Sequence, residues 1–130
     1  MSRLTILFIG IYLTMLCSCG GGNELKSLIS NTQEIELKRV DTAGAVLSRI
    51  TISDKKEIKE LLSVVSNAEA PSYKCGHDYE IQCKLNDNNF VAIDLNSDDI
   101  CSMASFIYKD ELMFRYLNKE KLELLKSKLN

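Results

Sequence analysis

The chain has 130 residues, of which 16 are Lys or Arg and 18 are Asp or Glu, and its formal net charge is −2. This length fits one domain with a modest core. The slightly acidic balance, with no cluster of basic residues, argues against binding to nucleic acid and against electrostatic attraction to an anionic membrane surface. A single histidine and the lack of tryptophan leave few of the residues that catalytic sites commonly use.

The N-terminal segment has the outline of a signal peptide. Arg3 gives a positive start, and residues 4–16 form an uncharged, mostly apolar run. A helix that spans a bilayer needs about 20 apolar residues, so this run is too short to be one. We therefore expect residues 1–18 to be a leader that is removed.

This leader ends in Leu16-Cys17-Ser18-Cys19, which resembles the lipobox of bacterial lipoproteins. The resemblance implies that a diacylglycerol is attached to the Cys19 thiol, that a dedicated peptidase cuts just before it, and that acyl chains hold the protein in the cell envelope. Stable anchoring takes two or more chains. Cys17 fits less well, because Thr14 and Leu16 stand where an aliphatic and a small residue belong. The alternatives are a secreted protein with an ordinary Cys19 thiol, or a leader that stays uncut.

The residues after Cys19 indicate which membrane holds the protein and how the domain is connected to it. Residues 20–22 are glycines rather than an acidic retention signal, so we expect the outer membrane rather than the inner one. Residues 19–33 are predicted to form a lipidated, flexible tether with room for one helical turn, and residues 34–130 a single domain. Cleavage leaves 112 of the 130 residues and, because Arg3 is removed, a formal charge of about −3.

The first half of the domain predicts a hairpin and a helix. Residues 34–40 and 46–52 alternate apolar and polar side chains around a turn at 41–44, which is typical of two paired strands. Asp54, with Glu57 three residues later, indicates a helix start. The helix then carries an apolar stripe at helical spacing formed by Ile58, Leu61, Leu62 and Val65. Residues 67–73, which contain Pro71, are predicted to be a loop.

The second half predicts four strands and a final helix. Residues 78–85 alternate strictly, and turns at 86–89, 96–99 and 109–111 separate them from strands near 91–95, 101–108 and 112–117. Asn118 is a helix cap ahead of Leu122 and Leu125. The order ββαββββα predicts an α+β fold, an antiparallel sheet with two helices packed on one face.

Three cysteines remain in the domain, and their placement predicts one disulfide. An exported chain reaches a compartment where disulfides persist. In the predicted meander Cys75 and Cys101 lie at the same end of the sheet, whereas Cys83 is more than about 20 Å along an extended strand from Cys75. Because a disulfide needs Cα atoms within roughly 7 Å, we predict a bond between Cys75 and Cys101 and a buried free thiol at Cys83.

Two incomplete patterns supply the candidate metal ligands. His77 lies beside Asp78 and close to Cys75, but a zinc site needs three or four convergent ligands and a disulfide sulfur cannot be one. The run Asp94-x-Asn96-x-Asp98 copies the start of a calcium loop, yet the expected Gly and Glu are missing further on. His77, Asp94, Asn96 and Asp98 are thus candidates only, and we expect no metal, no cofactor and no catalytic residue.

Some apolar residues fall on the second face of the predicted sheet, namely Phe90, Ala92, Phe106 and Tyr108. Such a patch is either a partner surface or is covered by the tether and loops. Our first hypothesis is a lipid-anchored, non-enzymatic envelope protein that binds another protein, as an assembly component or as an immunity or inhibitor protein. The second is a small-molecule or metal-binding module or minor enzyme, with His77, Asp78 and residues 94–99 at one end of the sheet.

Overall fold

The computed structural model describes residues 23–72 and 75–129, so the leader and Cys19 lie outside the described residues. The fold is α+β, with one antiparallel sheet of seven strands in the order β2-β1-β4-β5-β6-β7-β3. Its elements in chain order are α1 (Asn23–Asn31), β1 (Thr32–Val40), β2 (Val46–Ile52), α2 (Lys55–Leu62), β3 (Val65–Glu69), β4 (Tyr79–Leu85), β5 (Phe90–Asn96), β6 (Met103–Tyr108), β7 (Glu111–Leu117) and α3 (Lys119–Leu129).

The alternating strands form the centre of the sheet, as the pattern predicts. In β4 every second residue is buried, and Ile81 and Cys83 are fully so. Ile81 pairs with Leu37 of β1 on one side and with Ile93 of β5 on the other, so one face of the sheet is a continuous apolar layer. We call this the inner face and the opposite one the outer face.

Helix α1 changes the predicted boundary between tether and domain. Residues 23–31, expected within the flexible tether, form a helix in which Leu25 and Leu28 are buried in the core cluster. Ser27 Oγ lies 2.9 Å from the hydroxyl of Tyr108 in β6, which joins the helix to the sheet. A leucine pair three residues apart gives a short helix an apolar face to bury. The folded part therefore begins before residue 34.

The end of α2 is a second correction. Asp54 caps the helix as predicted, its carboxylate accepting the backbone N–H of Glu57 at 3.1 Å. The helix nevertheless stops at Leu62, and Val65 belongs to an extra strand, β3, that pairs with Leu117 at the sheet edge. Val64, in the turn after the helix, and Val65 are both buried. The observed order is therefore αββαβββββα.

Helix α3 closes the fold. Asn118 Oδ1 accepts the backbone N–H of Glu120 at 3.1 Å, which is the expected cap. Leu122 and Leu125 are buried in the same core cluster as Leu28 of α1 and Leu61 of α2. The buried leucines of all three helices thus share one core with the inner face of the sheet.

Candidate functional site

The outer face of the sheet is divided into a charged half and an apolar half. Strand pairing places Arg49, Lys38, Glu80 and Asp94 in one row across β2, β1, β4 and β5. The row continues through Ser105 of β6 to Phe114 of β7. Charge is therefore concentrated on β2, β1 and β4 and extends to Asp94 of β5, and the rest of the β5-β6-β7 side carries mainly apolar residues.

Large apolar side chains are exposed on that second side. The exposed fractions are 60% for Phe90, 61% for Ile107, 57% for Leu112 and 44% for Tyr116, and Ala92 is also exposed. Ile107 and Leu112 are direct cross-strand neighbours. We call these five residues the outer apolar patch. Scattered exposed apolar residues are normal on a protein surface, but a contiguous set on one sheet face is typical of an interaction site.

The sequence prediction for this patch is half wrong. Phe90 and Ala92 lie on the outer face, as expected. Phe106 and Tyr108, however, point into the core, with exposed fractions of 2% and 5%. Phe106 pairs with the buried Ile93, which fixes the parity of β6 and leaves Ile107 as its exposed residue. In β6 both odd-numbered and even-numbered positions carry apolar residues, so alternation could not reveal which of them face the core.

A cavity opens beside the outer apolar patch. Its volume is about 480 Å³, and it lies between the turn after β4 and the turn after β6. Phe90 and Ile107 line it together with polar groups of Asn31, Asp87 and Lys109. A concave site next to exposed apolar side chains is suited to receive one anchoring side chain of a protein partner.

A loop held by a disulfide covers the other end of the outer face. The sulfur atoms of Cys75 and Cys101 lie 1.97 Å apart, and Cys83 is buried and free. Asn96 Nδ2 donates to the carbonyl of Gly76, so residues 75–77 are fixed over β5 and β6. Met103 is consequently only 7% exposed although it lies on the outer face. Loop coverage thus accounts for the burial of Met103 at this end of the face. Its cross-strand neighbour Tyr116 remains exposed, and the other residues of the outer apolar patch lie at the opposite, open end.

The loop also brings three possible metal ligands together. His77 Nε2 lies 3.8 Å from Asp94 Oδ1, and Glu80 is directly opposite Asp94 on the neighbouring strand. Ligand atoms of His77, Glu80 and Asp94 all lie within 4.8 Å of one another. The sequence did not single out Glu80 as a candidate ligand, although the hairpin register around the turn at 86–89 places it opposite Asp94.

The remaining candidate ligands have different contacts. Asn96 Oδ1 accepts the backbone N–H of Asp98 at 2.9 Å, and Asp98 Oδ1 accepts that of Ile100 at 3.1 Å. Asp78 accepts the backbone N–H of Ser97 at 2.9 Å and is also bonded to the Ser97 hydroxyl. These side chains shape the turn between β5 and β6, and together with His77 and residues 41–44 they line a cavity of about 530 Å³.

Among the residues that the structure describes, one charged side chain is buried that the sequence did not single out. Arg115 is 7% exposed on the inner face of β7, and it donates to the carbonyl of Phe114 at 3.0 Å. Glu24 of α1 lines the same cavity, of about 250 Å³, as Leu112 and Arg115. The N-terminus of α1 therefore lies beside β7, the strand that carries Leu112 and Tyr116 of the outer apolar patch.

Comparison with protein-family models, with curated proteins and with solved structures gives no significant match. Within residues 23–72 and 75–129, which the structure describes, no helix is long and apolar enough to cross a bilayer.

Proposed function

We propose that this chain is a lipid-anchored protein of the bacterial cell envelope that binds another protein of the same membrane through the outer apolar patch. The observation that carries the proposal is the exposed cross-strand pair of Ile107 and Leu112, extended by Phe90 and Tyr116 on the same face. Aromatic residues and contiguous apolar surface are enriched at the centres of protein interfaces.

The helices support this assignment of faces. Their buried leucines share the core cluster with the inner residues of the strands, and we infer that α1, α2 and α3 all cover the inner face. Contacts of α2 with β1 and of α3 with β2 agree with that arrangement. The outer face is then left to the loop at 75–77 and to a partner.

The proposed anchor places the partner close to the membrane. Cys19, in the lipobox-like sequence, precedes the first helical residue, Asn23, by four residues. Four extended residues span at most about 14 Å. Because α1 starts beside β7, this short connection holds the Leu112 side of the outer apolar patch near the bilayer. The partner we propose is therefore a membrane or membrane-attached protein with an apolar contact surface at that level.

Photo-crosslinking in cells tests the proposal. A photoreactive amino acid replaces Ile107 in the full chain, and the matched control carries it at Arg49, whose exposed side chain lies on the charged half of the same face. We expect position 107 to yield an adduct with one envelope protein, and Leu112→Glu in the same chain to abolish it. The purified partner should then bind the Leu112→Glu chain at least about tenfold more weakly, the loss expected for an interface anchor.

Three outcomes would contradict the proposal. Adducts formed equally at positions 49 and 107 would show random proximity rather than a site. Adducts only between two copies of this chain would assign the patch to self-association. Adducts only with phospholipid would assign it to the bilayer surface.

A further inference from the structure

We propose that His77, Glu80 and Asp94 form a binding site for a divalent transition-metal ion of the zinc class. The site is separate from the outer apolar patch and does not depend on the proposed protein partner. It is built from one residue of the loop after β3 and one residue each of β4 and β5.

The donor atoms suit such an ion. Imidazole nitrogen combined with carboxylate oxygen is a ligand set that zinc accepts, whereas calcium and magnesium favour oxygen alone. Bonds of about 2.1 Å in a tetrahedral arrangement hold ligand atoms about 3.4 Å apart. His77 Nε2 and Asp94 Oδ1, at 3.8 Å, need to approach only slightly to meet this spacing. Three protein ligands leave a fourth position for water or for a group of another molecule.

The charges around the site favour a cation. Glu80 and Asp94 are direct cross-strand neighbours, an arrangement of like charges that is unfavourable without a counter-charge. Lys38 Nζ lies 3.9 Å from Glu80, but it lies closer, at 3.3 Å, to Glu36. Lys38 is thus shared between two carboxylates, and Asp94 has only His77 as an ion-pair partner among the described residues.

The loop that carries the histidine is held in place without any metal. The Cys75–Cys101 bond, together with the hydrogen bond from Asn96 to Gly76, holds the two residues that precede His77 in the loop. A cavity of about 60 Å³ lies against His77 and Asp94 under this loop. Glu80 does not line this cavity, but the space beside His77 and Asp94 is large enough for a water molecule as a further ligand. Because the loop backbone is already held, binding of the ion orders little further, and this favours affinity.

Calorimetric titration with zinc chloride tests the site. The full chain, purified in detergent and stripped with chelator, should bind one equivalent of zinc, and zinc should raise its melting temperature. His77→Ala and Asp94→Asn should each weaken binding at least about tenfold, since even outer-shell changes cost that much at metal sites. Asp99→Asn removes the same charge from the adjacent turn and should leave zinc affinity within about twofold of wild type.

Further measurements separate this site from misfolding and from adventitious zinc binding. Circular dichroism and the intact mass of the unreduced chain establish that each variant folds with its disulfide. If Asp94→Asn does not fold, Glu80→Gln is measured in its place. When cobalt replaces zinc, its absorption spectrum should be typical of an ion bound by nitrogen and oxygen ligands. The proposal would be overturned if the cobalt spectrum showed thiolate charge-transfer bands, or if His77→Ala bound zinc as tightly as wild type. It would also be overturned if Asp99→Asn weakened zinc binding as much as Asp94→Asn, or if the wild-type chain bound magnesium as tightly as zinc.

Discussion

Ile107 and Leu112 face each other across β6 and β7, and both side chains are more than half exposed. Their immediate chain neighbours on the inner face, Phe106 and Met113, are also paired and are buried. One hairpin thus presents an apolar pair to each side of the sheet. The inner pair belongs to the core, and the outer pair is available for binding, so substitutions at the two pairs should have separable effects.

The first prediction compares the two sides of this hairpin. Phe106→Ala should lower the free energy of unfolding by about 3 to 5 kcal/mol, because it opens a cavity in the core. Ile107→Glu should change it by less than about 0.5 kcal/mol, because the side chain is exposed. Urea denaturation followed by circular dichroism measures both. A large loss of stability in Ile107→Glu would show that the residue is structural rather than available for binding.

The second prediction concerns α1. Leu28 is fully buried, and Leu28→Ala should destabilise the domain by about 2 to 5 kcal/mol. Lys26→Ala, an exposed position of the same helix, serves as the control and should have an effect within about 0.5 kcal/mol. If both variants melt like wild type, residues 23–31 belong to the tether after all.

The third prediction concerns the bond between Cys75 and Cys101, whose sequence separation is 26. The double variant Cys75→Ser, Cys101→Ser should lose about 3 to 4 kcal/mol of stability, because the bond restricts the unfolded chain. Thiol titration of the denatured, unreduced, lipidated protein provides a direct count. We expect Cys83 alone to react, and three reactive thiols in the domain would rule out the bond.

The fourth prediction uses the buried thiol. Burial raises the pKa of Cys83 to about 12, although a hydrogen bond with Thr32 lowers it in part. The thiol ionises in the unfolded chain near its ordinary pKa of 9.0. Between these values the unfolded state releases the proton and the folded state retains it. This contribution to stability is thus complete below pH 9 and is lost as the pH rises toward 12.

Urea denaturation at several alkaline pH values checks this linkage. Cys83→Ala removes the titrating group, so its stability should fall less steeply with pH than that of wild type. In the folded protein, Cys83 should also resist alkylation until denaturant is added. Rapid alkylation under native conditions, or identical pH slopes for the two chains, would be inconsistent with a thiol held neutral by burial.

Sequence reasoning predicted those elements whose residues alternate or carry caps. Strand β4 alternates strictly, and Asp54 and Asn118 cap their helices through contacts that the structure contains. Strand β3 escaped because it is short, polar and paired at the sheet edge, where its register shifts between Val65 and Glu69. Such a segment has no period to detect, and its pairing partner, β7, lies far along the chain.

The candidate site was predictable only in fragments, for a related reason. His77 and Asp94 stand out as residue types, but Glu80 becomes relevant only when the β4-β5 register puts it opposite Asp94. Likewise, Phe90 was assigned to the correct face because β5 alternates clearly between buried and exposed residues. In β6 the adjacent residues Met103 and Ala104 are both apolar and both buried, so alternation does not show which residues face the core. The register between neighbouring strands, rather than local composition, decides both outcomes.

The central claim is that acyl chains on Cys19 hold this domain close to a membrane, so that its outer apolar patch meets a partner there. Intact-mass measurement of the chain isolated from bacterial membranes tests this most directly. The account predicts a species that begins at Cys19 and carries the added mass of a diacylglycerol, with or without a further acyl chain. An unmodified cysteine, or a chain that still contains residues 1–18, would contradict it.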